Sequence, residues 1–116
     1  MIVDDDKTTV TLLQMLFEMD GFEVANIARG AKVLEAASTE KPDLFLIDYH
    51  LADMEGTTLT KTLRADPRFA KTPIVIGSGM NVEDEAKIAG ANAFTIKPYE
   101  PRDLEALFRK LLEKPA

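Results

Sequence analysis

The chain has 116 residues, 46% of them apolar and 29% charged, with a formal net charge of -6 and no cysteine. That length suits one ordinary domain with a real core, and the apolar share is too high for a disordered chain. The acidic balance argues against a nucleic-acid surface, and the lack of thiols excludes disulfides, cysteine zinc sites and thiolate catalysis. No apolar run approaches the roughly 20 residues that cross a bilayer, and the N-terminus is acidic rather than a basic-then-apolar leader. A cytoplasmic domain without membrane contact is expected.

The first apolar run, Met1–Val3, goes straight into Asp4, Asp5 and Asp6. It reads as a short strand. Asp6 is placed to cap a first helix whose apolar stripe is Val10, Leu13, Leu16 and Phe17. Phe22–Ile27 is predicted as the second strand, Leu44–Ile47 as the third, Ile74–Ile76 as the fourth and Ala93–Ile96 as the fifth. "VEDEAK", residues 82–87, reads as the solvated face of the fourth helix. The last helix is entered at Pro101 and carries Leu104, Leu107, Phe108 and Leu111 on one stripe. Gly21, Gly30 and Gly90 fall near helix ends, where a left-handed residue is tolerated. Strand and helix alternate throughout, which predicts an α/β fold: a five-stranded parallel sheet with helices on both faces.

In such sheets, sites form at the carboxyl ends of the strands. Asp4, Asp5 and Asp6 follow the first strand, Asp48 the third, Ser78 the fourth, and Lys97 with Pro98 the fifth. Clustered carboxylates repel unless a cation joins them, and hard oxygen ligands select a hard divalent ion, Mg²⁺ foremost. A lysine and a hydroxyl beside such an ion suit phosphate oxygens, and a carboxylate can attack phosphorus. Metal-assisted phosphoryl transfer onto an aspartate is the chemistry this rim suggests.

Four pieces, "IVDDD", "DLFLIDYHLADMEG", "TPIVIGSG" and "GANAFTIKPY", in this order and at strand ends, resemble a response-regulator receiver domain of two-component signalling, the chemotaxis-regulator-like type. The likeness runs over almost the whole chain. It implies one domain over residues 1–116, flavodoxin-like, with strand order 2-1-3-4-5. It also implies that Asp48 is the phosphoacceptor. Asp4, Asp5, Asp48 and the backbone carbonyl of His50 would hold Mg²⁺, Asp5 directly and Asp4 through water. Ser78 and Lys97 would bind the phosphoryl oxygens, and Ser78 and Phe94 would form the switch. Gly56 matches the loop glycine, and Pro98 a proline that follows a cis peptide bond. The implied partners are a sensor histidine kinase or histidine phosphotransfer protein, and a downstream output domain or protein. The resemblance implies no direct nucleic-acid contact, and allows a dimer through the fourth helix, fifth strand and fifth helix. The domain would modify itself rather than turn over an external substrate. Ala52 and Gly79 depart from the proline and alanine common at their positions. The His50 side chain is expected at the mouth of the site, where it would influence dephosphorylation.

Two other readings stay open on sequence. "DDDKT", Asp4 to Thr8, also fits the Asp-x-Asp-x-Thr pattern of haloacid-dehalogenase-type phosphatases. That reading leaves Asp48 unexplained and lacks a later acidic pair at a strand end. A pseudo-receiver, a binding module never phosphorylated, would not need the full set of polar groups.

Overall fold

The computed structural model describes residues 1–113. The last three positions of the expected 1–116 domain lie outside the described residues. Five short strands, β1 (Ile2–Val3), β2 (Asn26–Ile27), β3 (Phe45–Asp48), β4 (Ile74–Ser78) and β5 (Ala93–Ile96), alternate with helices. The helices are α1 (Lys7–Met19), α2 (Val33–Glu40, entered through a 3-10 turn at Gly30–Lys32), α3 (Gly56–Ala65), α4 (Glu83–Ala89) and α5 (Pro101–Glu113). All strand pairs are parallel, in the order β2-β1-β3-β4-β5. This is the order expected of a flavodoxin-like sheet, with the chain reversing direction of travel between β2 and β3.

Period-two alternation divides the strands between two cores. Val3, Phe45, Ile47, Ile74 and Ile76 face α2, α3 and α4, where Val33, Leu59, Leu63 and Ala86 meet them. Ile2, Leu46 and Val75 face α1 and α5, against Val10, Leu13, Phe17, Leu104 and Phe108. Phe17, Phe22 and Phe108 close the base of this second core, Phe108 edge to face with both of the others, with centroids 5.4–6.3 Å apart. With both faces covered, the central strands read as unbroken apolar runs.

Several local expectations need correction. The second strand is two residues long, not six. β1 offers only Ile2 and Val3 as register partners, so Phe22 and Val24 pack their side chains on the core outside the ladder. Gly21 and Gly90 take the left-handed conformation, at φ 94° and 114°, but Gly30 does not. Gly30 opens the turn into α2, and its missing Cβ leaves room for the Met54 side chain. The left-handed end of α2 is Lys41, at φ 51°. β3 and β4 each run on past their expected ends, which brings Asp48 and Ser78 into the ladder.

Gly56 starts α3 under a tight constraint. Its N–H donates to the Tyr49 carbonyl at 2.6 Å, and a Cβ would run into the Asp48 backbone carbonyl. Gly56→Ala should therefore destabilise the chain by about 1–3 kcal/mol, the usual cost of overpacking. Urea denaturation checks it, since a midpoint equal to the parent's would mean that the loop yields freely.

Candidate functional site

The carboxyl ends of β1, β3, β4 and β5 bring the predicted residues to one rim. Asp4 and Asp48 are buried, at 5% and 8% exposure, while Asp5 faces solvent. Carboxylate oxygens of Asp4, Asp5 and Asp48 lie within 4.8 Å of one another. Lys97 Nζ stands 3.2 Å from Asp4 Oδ2 and 3.2 Å from Asp48 Oδ1, so one ammonium bridges the two buried carboxylates. Asp4 Oδ1 also accepts the Asp6 N–H at 2.9 Å. Asp6 itself turns away and caps α1, accepting from the Thr8 and Thr9 N–H groups and from the Thr9 hydroxyl. Those bonds, the Thr9 hydroxyl first, hold its carboxyl below the ordinary range.

Electrostatics within the rim are opposed. Burial, and then the Asp4 carboxylate, push the Asp48 pKa up, against the pull of Lys97. Burial works against the charged Lys97, but Asp4 and Asp48 outweigh it and hold the ammonium above its ordinary pKa. Asp48 is thus costly to ionise, and the Lys97 ammonium lies against it and Asp4 together.

Ser78 is 1% exposed, and its Oγ accepts the Met80 N–H at 3.1 Å, which leaves its own proton free to donate. The Lys97 N–H donates to the Ser78 carbonyl at 2.8 Å, tying the ends of β4 and β5 together. The Lys97–Pro98 peptide is cis. Phe94 is half-buried on β5 against the α2–α4 core. The His50 side chain is exposed and edge to face with Tyr49, centroids 4.7 Å apart, and so does not join the carboxylates.

Three features escaped the sequence reading. Tyr49, directly after Asp48, is buried and donates its hydroxyl to Glu85 on α4 at 2.8 Å. That bond, with burial, pushes its pKa up to about 12. Glu85 is therefore more than a solvated residue of "VEDEAK". Asp53 accepts the N–H groups of Gly30 and Ala31, both at 2.9 Å, and pins the loop after Asp48 to the entry of α2. Tyr99 slides beneath the rim onto Gly77. Each is a long-range side-chain contact without a local pattern; only the position of Tyr49 beside Asp48 could have drawn attention to it.

A doubly covered parallel sheet in this strand order, with acidic groups, a hydroxyl and a lysine at its carboxyl edge, defines the class. The response regulator receiver domain model matches residues 1–109, and the chain belongs to that family. It is similar, at 32% identity over 98% of its length, to the alkaline phosphatase synthesis transcriptional regulatory protein PhoP of Bacillus subtilis (strain 168), covering 48% of that protein. It is 31% identical over 98% of its length to the DNA-binding response regulator MtrA of Mycobacterium tuberculosis (strain ATCC 25618 / H37Rv), covering 50% of it. The chain spans about half the length of the curated relatives it matches. Among solved structures, it superposes on the response regulator receiver domain protein of Methanospirillum hungatei JF-1 with a TM-score of 0.88, at 30% identity, covering 97% of this chain and 90% of that one. The BeF3-activated N-terminal receiver domain of Klebsiella pneumoniae RstA gives a TM-score of 0.89, at 28% identity and 97% coverage of both chains. The chain is thus a signalling domain of two-component response regulators. No helix among the described residues is long and apolar enough to cross a membrane.

Proposed function

We propose that the chain is a phosphorylation switch in which Asp48 takes a phosphoryl group from a phosphohistidine of a sensor histidine kinase or histidine phosphotransfer protein. The observation that carries this reading is the triad of Asp4, Asp5 and Asp48 within 4.8 Å, bridged at two of its members by Lys97. An Asp48 oxygen attacks phosphorus in line, the P–N bond to histidine breaks, and the proton for the departing imidazole comes from the donor's side. Positioning and charge neutralisation carry the step. Ser78 has a free proton for a phosphoryl oxygen, and Lys97 need only leave its present carboxylates to pair with another.

The donor set fits Mg²⁺: three hard carboxylate ligands lie close together, and two already share a cation. Asp4, Asp5, Asp48 and the His50 carbonyl would hold the ion, which supplies charge neutralisation for phosphoryl transfer when bound. Thermal denaturation in rising Mg²⁺ tests the set. The midpoint should climb by several degrees in the native chain and stay flat in Asp5→Ala, because a ligand of the folded state stabilises it by linkage. A gain that survives in the variant removes Asp5 from the metal site.

Phosphate drawing Ser78 inward, with Phe94 following, would shift the population of two arrangements of α4, β5 and α5. Ile88 on α4 and Ile96 on β5, exposed at 83% and 49%, supply apolar surface there for an output domain or a second copy. No direct nucleic-acid contact is assigned to a chain of net charge -6.

Intact mass after incubation with a small acyl phosphate tests the whole reading. The expected result is one phosphoryl adduct that requires Mg²⁺. Repeated turnover of a phosphate ester with no adduct would instead favour the phosphatase reading, centred on Asp4.

A further inference from the structure

The alternation that sends Ile2, Leu46 and Val75 to the α1–α5 core puts Asp4, Asp48 and Gly77 next on the same face. Asp48 and Gly77 are register partners across β3 and β4. The place beside the Asp48 side chain on that face therefore receives no side chain from β4. Tyr99 fills it from the loop after β5. A Cβ on Gly77 would overlap the Tyr99 hydroxyl and the adjoining ring edge. The ring packs on the α1–α5 core, and Lys97 Nζ lies 5.4 Å from its centroid.

The Tyr99 hydroxyl is fully buried and has no hydrogen-bond partner among the described residues. Burial, and then the Asp4 and Asp48 carboxylates, push its pKa up, so it stays protonated and able to donate. Leaving such a group unpaired costs stability, and a phenylalanine would fill the same space without that cost. Phosphorylation of Asp48 changes the neighbourhood. It adds three strong acceptor oxygens to the adjacent position and draws on Lys97, the present partner of both Asp4 and Asp48.

We propose, resting on the reading of Asp48 as phosphoacceptor, that Tyr99 is a positioning residue: its hydroxyl, seated in the gap that Gly77 leaves beside Asp48, has no partner in the free site and donates to the oxygens of the phosphorylated one. The bond belongs to the phosphorylated ground state and is given up as the phosphoryl group leaves. Tyr99 thus lengthens the life of the signal, and Gly77 is the residue that admits it.

The experiment compares the native chain with Tyr99→Phe by intact mass and thermal denaturation, after loading with a small acyl phosphate and Mg²⁺. Tyr99→Phe should fold with an unphosphorylated midpoint at or above that of the native chain and should still form the adduct. Its adduct should decay about tenfold faster, the factor carried by one hydrogen bond to a charged acceptor. The gain in midpoint on phosphorylation should shrink. Gly77→Ala, which displaces the hydroxyl, should give the same faster decay, with no further effect when combined with Tyr99→Phe. A native lifetime in Tyr99→Phe overturns the role of Tyr99 alone. So does a loss of midpoint that is equal with and without the phosphoryl group, which is the mark of packing only. Failure of the native chain to form any adduct overturns the reading of Asp48, and this one with it.

Discussion

Asp48→Asn should take up no phosphoryl group from a small acyl phosphate at any Mg²⁺ concentration, and should fold more stably than the parent without metal. The first half follows from chemistry: an amide has no carboxylate oxygen to attack phosphorus. The second follows from the field of the site. Burial and Asp4 raise the Asp48 pKa in the folded chain. Ionised Asp48 therefore lowers stability at neutral pH, and a neutral amide of the same shape removes that charge while its oxygen can still accept from Lys97. A rise of about 3 °C in the metal-free midpoint at pH 7 is expected. The Mg²⁺-dependent gain should shrink, because one of three carboxylates has gone. Intact mass and paired melting curves check both halves. An adduct in Asp48→Asn would move the acceptor role to another carboxylate.

Lys97→Met should have the opposite effect on stability. It leaves Asp4 and Asp48, with side chains only 3% and 11% exposed, without the ammonium that lies 3.2 Å from each. Removing one partner of a buried charge cluster costs about 3 kcal/mol, and the partial exposure of Lys97, 25%, brings the expected loss to about 2 kcal/mol. The pH dependence has a definite sign. The Asp48 pKa lies above 3.8 when folded, and losing Lys97 raises it further. The deficit should be full at neutral pH and shrink as acidification protonates the folded carboxyl. At the alkaline end the Lys97 contribution is lost as pH rises through its folded pKa, which lies above the unfolded 10.5. Urea denaturation at pH 7 and pH 5, with and without Mg²⁺, checks this. Mg²⁺ should recover part of the deficit by replacing the missing cation. A deficit equal under all four conditions would mean that Lys97 contributes by packing alone.

Much of this architecture is legible in one dimension because its causes are local. A helix stripe repeats every three or four residues, as in Val10, Leu13 and Phe17, and a strand buried on both faces reads as the unbroken run "LFLI". The alternation of the two dictates a parallel sheet, and parallel sheets gather strand ends on one edge. Asp4, Asp5, Asp48, Ser78 and Lys97 could therefore be assigned to one rim without a single measured distance. The capping of α1 by Asp6 is equally local, since donor and acceptor lie within three residues.

What only the tertiary structure decided depends on pairs distant in the chain. The length of β2 is set by how much of β1 stands opposite it, not by the apolar run Phe22–Ile27. Lys97 is shared between Asp4 and Asp48, 93 residues apart in one case, so the charge balance of the site was not readable from either neighbourhood. The bond from Tyr49 to Glu85, the clamp of Asp53 on Gly30 and Ala31, and the seating of Tyr99 on Gly77 leave no periodic trace, because each joins a loop residue to an element distant in the chain. Composition and periodicity determined which side chains could reach the rim. Register between strands and the missing Cβ of Gly77 decided which of them touch there, because side-chain contact is settled by the packing of one element against another and not by spacing along either.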